Sequence, residues 1–491
     1  MQTITTRFPP SPTWYLHIWG LRTVLYNYLF AKKNNGKFML RIEDTDRNRL
    51  VKWSAEDIIK ILEEFWLKVD EWPNNPWEKW PYYQSQRLDI YSKYVKKLIE
   101  NDKAYYCFCS SERLEKLREE QSSLWLSTKY DEHCKYLSEE EINEKLKEKI
   151  PHTIRLKIPK NREIIFEDSI KWKIKVHSKD IDEQILLKSD KFPTYHLANV
   201  IDDHLMWITH VIRWDEWTPS TPKHVLIYEA FWWQQPVFAH IPLLLWTNKK
   251  KLSKRTWDVS VESYLEKWYL KEAIINYIAL LWWNPKTTEE FFTIEELIEK
   301  FELKQVHKSG AIFDIERLNF FSSHYIKDLN IDILYDKYIK YLSQYNKDFL
   351  KQIQSFSEDY NKKILNELKT KIKKFDEFEW FTHFFYSWYK IPNKNLFLNE
   401  KMKITSIEWI KKALNIATDI IENNNDLGNI ENIKNIFIEK IKENDMKNGQ
   451  VLRPVRVALS WEQFSLWALE LILILWKEKS IKRIKKVLNE L

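Results

Sequence analysis

The N-terminal part of the chain alternates between short strands and amphipathic helices, and this alternation restricts the fold more than any other feature. Residues 3–8 form a predicted strand, residues 20–35 a predicted helix that ends at Gly36, and the segment "KFMLRIEDTD" a second strand. A further helix begins with Ser54 as its N-cap. Strand, helix, strand, helix predicts a parallel sheet with right-handed crossovers.

Ligands of such sheets bind beyond the carboxyl ends of the strands. The segment "PPSPTWYLHIWG" follows the first predicted strand and "EDTD" closes the second, so both are expected to border one site. Residues 105–190 interrupt the alternation, which then resumes and gives way to helices after about residue 260. The sequence therefore predicts an α/β fold with an insertion, followed by an all-α region over residues 326–491.

The composition is unusual in its turn-forming residues. The chain of 491 residues contains 25 Trp and only 5 Gly, whereas average usage would give roughly 34 glycines. Several tryptophans stand among turn formers, as in "EWPNNPWEKWP". One interpretation is an aromatic-rich protein with tryptophan on its core face. The pattern favours another, in which most of these positions are glycine in the natural protein and UGA codons were translated with the wrong table.

Charge and cysteine content set further bounds. The net charge of +7 permits nucleic-acid binding without proving it. Three cysteines cannot form a disulfide framework, and their clustering suggests a metal site. The N-terminus has no apolar signal region, and no apolar run reaches the length of a membrane-spanning helix. A cytoplasmic protein with no membrane partner is expected, with a monomer as the default state.

Two motifs carry a resemblance to a known family. With glycine restored at positions 14 and 19, residues 7–22 read R-F-P-P-S-P-T-G-Y-L-H-I-G-G-L-R, which resembles the ATP-binding "HIGH" motif of class I aminoacyl-tRNA synthetases in their glutamyl form. The segment "KKKLSKRTWD" resembles the "KMSKS" loop of the same family. The resemblance is almost continuous over residues 3–325 and returns at "RPVRVALS"; four further stretches carry it, "RIEDTDRNR", "PYYQSQRLDIY", "AYYCFCS" and "PTYHLANVIDDHLMWITHVIRWDEW".

The family pattern also sorts the tryptophans. Where it has glycine, this chain has Trp14, Trp19, Trp66, Trp72, Trp207, Trp214, Trp232, Trp257 and Trp282. Where it accepts or prefers tryptophan, the chain has Trp217, Trp233 and Trp283. The hypothesis therefore treats the first set as glycine and the second as true tryptophan.

The resemblance implies an ATP site. In that reading His17 hydrogen-bonds the phosphates, Lys251 and Lys254 bring positive charge to the triphosphate in the transition state, and the helix start offers open N–H groups. The implied ATP-binding residues are His17, Trp19, Gly20, Lys251, Ser253 and Lys254, with Mg²⁺ on the phosphates.

The amino-acid pocket is also implied by the resemblance. Arg7 and Arg213 would read the carboxylates of glutamate, since arginine binds carboxylates through two parallel hydrogen bonds and stays charged. Glu43 would meet the α-ammonium, and Ser11, Tyr195 and Asn199 would complete the pocket. A pocket built for a charged partner rejects a neutral isostere, so glutamate is expected over glutamine.

The cysteines read as Cys107-x-Cys109 and Cys134. Tetrahedral zinc needs four ligands. Tyr130 matches a Cys-x-Cys…Tyr-x3-Cys arrangement of zinc-bearing relatives, and His133 is the chemical rival; three reduced cysteines without metal are the alternative. The resemblance implies one structural Zn²⁺ that shapes the insertion.

The resemblance implies a glutamate–tRNA ligase with a Rossmann-type catalytic domain. The expected partners are ATP, L-glutamate and tRNA(Glu). The alternatives are a glutaminyl enzyme of the same subclass, a truncated relative that glutamylates a modified base, and a non-catalytic tRNA-binding paralogue. The expected domains are the catalytic domain over 1–104 and 191–250, an acceptor-binding insertion over 105–190, a stem-contact region over 251–325 and an anticodon-binding region over 326–491.

Overall fold

The computed structural model describes residues 3–11, 16–45, 54–76, 79–245, 260–424 and 428–491. The chain forms two compact units. The first comprises Met1–Ser263 and Ile274–Ile315, and the second comprises Tyr264–Ala273 and Glu316–Leu491.

The elements up to residue 312 mix strands and helices. In chain order they are β1 Thr5–Phe8, α1 Ile18–Lys33, β2 Lys37–Leu40, α2 Ser54–Glu64, α3 Leu88–Glu100, β3 Ala104–Cys107, α4 Ser111–Ser123, α5 Glu139–Lys147, β4 Thr153–Leu156, β5 Glu163–Asp168, β6 Trp172–His177, β7 Ile185–Leu187, α6 Tyr195–Leu205, β8 His210–Trp214, α7 Thr221–Ala230, β9 Val237–Ile241, β10 Leu244–Leu245, α8 Val261–Glu266, α9 Lys271–Leu280, α10 Ile294–Lys300 and β11 Ala311–Ile312.

The remaining elements are helices. They are α11 Ile315–Asp328, α12 Ile331–Tyr345, α13 Lys347–Gln354, α14 Glu358–Leu368, α15 Asp376–Tyr386, α16 Ile407–Asn423, α17 Ile430–Glu443, α18 Asn448–Ser460 and α19 Ala468–Glu490.

Parallel pairing holds the centre of the first unit. β1 pairs with β2 and β8 pairs with β9, all in parallel, and the Thr209 N–H donates to the Thr5 carbonyl to join the start of β8 to β1. The hairpin of β5 and β6 adds to this arrangement through one parallel pairing, Asp168 with Phe238. A second, antiparallel sheet has the order β3-β4-β7. The predicted α/β fold is confirmed.

Helix α1 differs in detail from its prediction. Thirteen of its sixteen residues are buried, so it is enclosed on nearly all sides rather than on one face. Two of its polar side chains are hydrogen-bonded inside: Arg22 donates to the Pro242 carbonyl at 2.9 Å and Asn27 to the Ile212 carbonyl at 3.1 Å. The left-handed residue after the helix is Asn35 (φ 51°), not Gly36. Gly36 is needed for close approach instead, because a Cβ there would lie 2.2 Å from the Ile4 carbonyl oxygen.

Tryptophan occupies many left-handed backbone positions. Among the described residues, seventeen non-glycine residues have positive φ and eight of them are tryptophan, whereas no described glycine does. The eight are Trp66, Trp125, Trp172, Trp207, Trp232, Trp268, Trp461 and Trp476.

Five of these tryptophans end helices in one recurrent way. After α2, α4, α6, α7 and α8, the left-handed tryptophan N–H bonds the carbonyl three residues back, and the next N–H bonds the carbonyl five residues back. For α6 these bonds are Trp207 N–H to His204 O at 3.1 Å and Ile208 N–H to Asp203 O at 2.8 Å. This is the Schellman motif, whose left-handed position is usually glycine.

Side-chain caps begin several helices of the second unit. Asn330, Asn346, Ser357 and Asn429 each accept a hydrogen bond from an N–H in the first turn of α12, α13, α14 and α17. The predicted all-α C-terminal region is confirmed, since the described residues 316–424 and 428–491 contain helices and one isolated bridge between Asn399 and Ile404. None of the described helices combines the length and apolar composition that a membrane span requires.

Candidate active site

A cavity of about 620 Å³ lies at the carboxyl ends of β1 and β8 in the first unit. Its walls come from the segments after β1, the start of α1, the residues after β2 and the start of α6. The lining includes Arg7, Ser11, His17, Trp19, Gly20, Glu43, Gln84, Lys188, Tyr195, Arg213, Trp214 and Trp217. The Glu43 N–H donates to the Pro10 carbonyl at 2.9 Å, so the two predicted loops meet here.

The first turn of α1 borders this cavity. His17 is the N-cap residue, with extended backbone and no side-chain capping bond. Its ring stacks on the Trp19 indole, with centroids 4.4 Å apart and planes 15° apart. Trp19 also meets the Trp214 ring edge-on at 6.4 Å. The indole of Trp19 therefore stands at the helix start, where a phosphate would need open N–H groups.

Part of the predicted ATP site lies outside the described residues. Lys251, Ser253 and Lys254 fall there, as do Trp14 and Trp257. The first described residue after this segment, Ser260, forms a bridge with His17. The Val261 N–H adds a hydrogen bond to the Leu16 carbonyl at 2.8 Å.

Arg7 is fully buried and forms an ion pair with an aspartate. Its Nε and Nη2 lie 3.1 and 3.2 Å from the two carboxylate oxygens of Asp203. Arg41 donates to the same Asp203 at 2.7 Å and to Glu43 at 3.1 Å. The Nη1 of Arg7 is buried without a hydrogen-bond partner. Sequence reasoning did not single out Arg41 or Asp203, although both stand in quoted segments, "RIEDTD" and "IDDHLM".

Asn199 supports the two arginines from behind. Its Oδ1 accepts from Arg7 Nη2 at 3.3 Å and from Arg41 Nη2 at 3.4 Å. It is buried and is not among the residues that line the cavity. Ser11, by contrast, is exposed and lines the cavity.

Glu43 has a perturbed pKa. Burial raises this pKa by more than the nearby cations Arg41 and Arg7 lower it. The pKa is therefore about 7 instead of 4.5. The carboxyl of Glu43 is thus poised to change its charge near neutral pH when a cation approaches.

Arg213 lies on β8 and is also buried. Its Nη1 donates to the Tyr195 hydroxyl at 3.2 Å and its Nη2 to Thr221 Oγ1 at 2.9 Å. His240 Nε2 accepts from Arg213 Nε at 3.1 Å. His224 Nδ1 lies 3.2 Å from both Nη atoms. Tyr195 is fixed at the first position of α6, where its ring packs on Trp217 with centroids 4.0 Å apart.

The three cysteines converge in the insertion. The sulfurs of Cys107, Cys109 and Cys134 lie within 4.8 Å of one another. Two arginines face them: Arg155 Nε is 3.3 Å from the Cys107 sulfur and Arg113 Nη1 is 3.5 Å from the Cys109 sulfur. The hydrogen bond from Cys134 lowers the pKa of Cys107, and the same bond raises the pKa of Cys134.

The hydroxyl of Tyr130 also belongs to this cluster. The hydroxyl lies 3.4 Å from the sulfurs of Cys107 and Cys109. His133 is exposed, and its backbone N–H bonds to Asp131. Three thiols and one hydroxyl form a donor set that fits tetrahedral zinc, whose bonds to sulfur are about 2.3 Å long.

Two family models match the chain. The model described as "tRNA synthetases class I (E and Q), catalytic domain" matches residues 3–320. The model described as "Anticodon binding domain" matches residues 334–488, a region in which the sequence motifs alone are sparse.

Curated relatives match over their whole length. The glutamate–tRNA ligase of Clostridium tetani is 43% identical over 499 residues, which cover 99% of both chains. The chain belongs to the glutamate–tRNA ligase family of class I aminoacyl-tRNA synthetases. Within this family, the ligase of Clostridium botulinum is 43% identical over 98% of both chains, and that of Clostridioides difficile is 40% identical over 99% of both.

Solved structures of this family share the fold. The glutamate–tRNA ligase of Elizabethkingia meningosepticum, crystallised in complex with its amino acid, superposes with a TM-score of 0.86 at 34% identity and 99% coverage of both chains. The glutamate–tRNA synthetase of Elizabethkingia anophelis has a TM-score of 0.85 at 34% identity, over 99% of this chain and 100% of its own.

Proposed function

We propose that this protein, in the glycine-containing form argued for below, activates glutamate with ATP and transfers it to the 3′ end of tRNA(Glu). In the first step a carboxylate oxygen of glutamate attacks the α-phosphorus of ATP, which forms glutamyl-adenylate and releases pyrophosphate. In the second step the terminal ribose hydroxyl of tRNA attacks the activated carbonyl and releases AMP. The observation that carries the proposal is the cavity itself, which joins a helix N-terminus to two buried arginines at the ends of parallel strands.

ATP would lie against the start of α1. The open N–H groups there and the helix dipole favour phosphate. His17 would hydrogen-bond the phosphates, and Lys251, Ser253 and Lys254 would meet the triphosphate together with Mg²⁺. The bridge between His17 and Ser260 supports this, because it brings the chain back to the cavity just after those residues. The contribution to rate would come from positioning and charge stabilisation.

Glutamate would lie between Arg7, Glu43 and Arg213. The unpartnered Nη1 of Arg7 supports a role in carboxylate binding. Glu43 would receive the α-ammonium, and Tyr195 and Ser11 would border the ligand. Asn199 would act through the two arginines that it contacts.

The remaining parts would serve tRNA. The insertion over residues 105–190 would hold the acceptor end, stabilised by one Zn²⁺ on Cys107, Cys109, Cys134 and Tyr130. The stem-contact region would span residues 251–325, and the helices of residues 326–491 would read unstacked anticodon bases. We propose that the protein works as a monomer in the cytoplasm.

Exchange of labelled pyrophosphate into ATP tests the activation step. The reaction is run with tRNA and with glutamate or glutamine. Exchange with glutamate supports the proposal, exchange with glutamine alone would indicate a glutaminyl enzyme, and no exchange despite tRNA binding would indicate a non-catalytic paralogue.

We further propose that most of the tryptophans are glycine in the protein that the host makes. The left-handed backbone at eight tryptophans supports this, since φ > 0 costs a non-glycine residue roughly 1–2 kcal/mol. Three of the eight, Trp66, Trp207 and Trp232, are positions where the family has glycine. The proposal also covers five positions on the ground of their positive φ alone: Trp125, Trp172, Trp268, Trp461 and Trp476. By contrast, Trp217, Trp233 and Trp283 have no positive φ among the described residues.

The coding DNA and peptide mass spectrometry test this second proposal. UGA at codons 14 and 19, and glycine masses for the corresponding peptides of protein from its natural host, are expected. UGG codons at those positions would contradict it. In the experiments below, the glycine-restored chain carries glycine at positions 14, 19, 66, 72, 125, 172, 207, 214, 232, 257, 268, 282, 461 and 476.

A further inference from the structure

The buried arginines of the cavity differ in how their charges are balanced. Arg7 and Arg41 both contact the carboxylate of Asp203 directly. Every hydrogen-bond acceptor described for Arg213 is a hydroxyl or an imidazole nitrogen, on Tyr195, Thr221, His224 and His240. Among the described residues, Arg213 is therefore held in place without a direct carboxylate partner.

The contacts fix the tautomer of His240. An arginine nitrogen can only donate, so His240 Nε2, which lies 3.1 Å from Arg213 Nε, must accept and carry no proton. The proton of the neutral ring is then on Nδ1, which lies 2.6 Å from Asp168 Oδ2. Burial lowers the pKa of His240 to about 4, against the opposing effect of Asp168, and so keeps the ring neutral at neutral pH.

His224 repeats this arrangement on the other side of the guanidinium. Its Nδ1 accepts from Arg213, so its Nε2 carries the proton and donates to His196 Nδ1 at 3.0 Å. Burial lowers the pKa of His224 as well, as does the charge of Arg213. Both imidazoles therefore face Arg213 as neutral acceptors.

Asp168 is anchored where β5 turns into β6. Its Oδ1 accepts from the backbone N–H of Ile170 at 2.9 Å and of Lys171 at 2.7 Å. Its Oδ2 accepts from the backbone N–H of His240 at 3.0 Å as well as from the ring. This carboxylate accepts four hydrogen bonds, and it is linked to Arg213 through the side chain of His240.

We propose that Asp168 and His240 are positioning residues that set Arg213 for a substrate carboxylate. A carboxylate in direct contact would neutralise the guanidinium, whereas the histidine aligns it and leaves its charge for the ligand. The five N–H groups of Arg213 make five described contacts to four acceptor atoms. Both Nη atoms share His224 Nδ1, so a substrate carboxylate can take over one of these two N–H groups. The selectivity for a carboxylate side chain over a carboxamide thus depends on Asp168, which lies outside the ligand cavity's lining. This inference rests on the proposed activation of glutamate.

The variant Asp168→Asn tests the arrangement. An amide nitrogen facing His240 Nδ1 can only donate, so Nδ1 must accept and the ring proton moves to Nε2. Two N–H donors, one on His240 and one on Arg213, then face each other and their hydrogen bond is lost. In pyrophosphate exchange with the glycine-restored chain, we expect the glutamate KM to rise about 10- to 100-fold, the size of one hydrogen bond to a charged group. The KM for ATP should stay unchanged, and the preference for glutamate over glutamine should fall. Imidazole ¹⁵N spectra should report the change of tautomer at His240.

A second pair of variants keeps the test decisive if Asp168→Asn does not fold. His240→Gln places an amide oxygen near the former Nε2, so it can still accept from Arg213 and should retain the glutamate KM. His240→Leu cannot accept and should raise it. Equal glutamate KM values for these two variants would overturn the proposal.

Asp182→Asn is the matched control. Asp182 lies in the same insertion, and its Oδ1 accepts only the Tyr130 N–H among the bonds described for it, which an asparagine oxygen can replace. Unchanged glutamate KM and selectivity in a folded Asp168→Asn chain would overturn the inference while leaving the proposed function intact. Absence of exchange in the unsubstituted glycine-restored chain would instead contradict the proposed function.

Discussion

At the scale of single residues, the chemistry of the cavity depends on where buried charge is balanced. Arg7, Arg41 and Asp203 form one group in which cations and carboxylates touch. Arg213, which is 5% exposed, stands apart among neutral acceptors. A buried cation without a direct counter-ion is costly unless a ligand supplies one, and a substrate carboxylate would do so.

Replacing Arg213 should therefore affect glutamate more than ATP. For Arg213→Ala in the glycine-restored chain we expect a roughly 30- to 5000-fold loss in kcat/KM for glutamate, because truncating one partner of a buried charge pair costs about 2–5 kcal/mol. ATP binding should be unchanged. Arg162→Ala, which removes a partly exposed arginine paired with Glu229, is the control. Unaltered glutamate kinetics in Arg213→Ala would remove Arg213 from the site.

The raised pKa of Glu43 predicts that glutamate binding releases a proton from this carboxyl. Its pKa is raised from 4.5 to about 7, so between these pH values the folded chain holds a proton that the unfolded chain has lost. The stability from this group is complete below pH 4.5 and is lost as the pH rises through about 7. An α-ammonium beside Glu43 lowers its pKa again. At pH 7, where about half of the Glu43 carboxyls carry a proton, binding should then release up to about half a proton per chain.

Calorimetry in buffers of different ionisation enthalpy measures this release. Glu43→Gln cannot titrate and should bind glutamate without it. The same proton release in Glu43→Gln as in the parent chain would show that another group is responsible.

At the scale of elements, the helix ends test the identity of the tryptophans. Trp232 is 93% exposed and left-handed after α7, whereas its neighbour Trp233 packs on His204, Phe231 and Tyr94. Trp232→Gly should stabilise the chain as printed by about 1 kcal/mol, since it removes the left-handed penalty. Trp233→Gly should destabilise it by about 1–3 kcal/mol, since it removes the packing of a partly buried indole. Midpoints of urea unfolding measure both; a loss of stability in Trp232→Gly would contradict the prediction.

The cysteine cluster predicts one zinc per chain. Elemental analysis of purified protein should find it, and Cys109→Ser should lose it, because thiolates supply most of the ligand set. His133→Ala, which removes the rival ligand, should keep the metal. Loss of zinc in His133→Ala, with retention of zinc in Tyr130→Phe, would show that His133 and not Tyr130 is the fourth zinc ligand.

Local sequence signals predicted the elements better than their ends. Periodicity identified α1, but its start at Ile18 and the left-handed residue Asn35 follow from backbone packing that no local pattern encodes. In the cavity, motif positions singled out Arg7, Glu43 and Arg213, which line it. Their partners were missed, since Asp203 lies 196 residues from Arg7 in sequence and Asp168 lies 72 from His240. Such contacts arise only when distant strands assemble.

At the scale of the whole molecule, the proposed activity would use both compact units and an open nucleotide site. The two family models together span residues 3–488 apart from a short gap, and curated relatives match end to end. What the printed chain lacks is a small residue at position 19, where Trp19 is 8% exposed and lines the cavity. Burying an indole fills on the order of 150–250 Å² of contact surface.

Aminoacylation of tRNA(Glu) with labelled glutamate tests the account most directly. Three chains are compared: the chain as printed, the chain with glycine at positions 14 and 19 only, and the glycine-restored chain. We expect negligible charging by the first, because the Trp19 indole stands at the start of α1 where phosphate would bind. We expect charging with glutamate but not glutamine by the last. The second chain tests whether the two positions suffice. A glycine-restored chain no more active than the chain as printed, or ordinary rates from the chain as printed, would contradict the account.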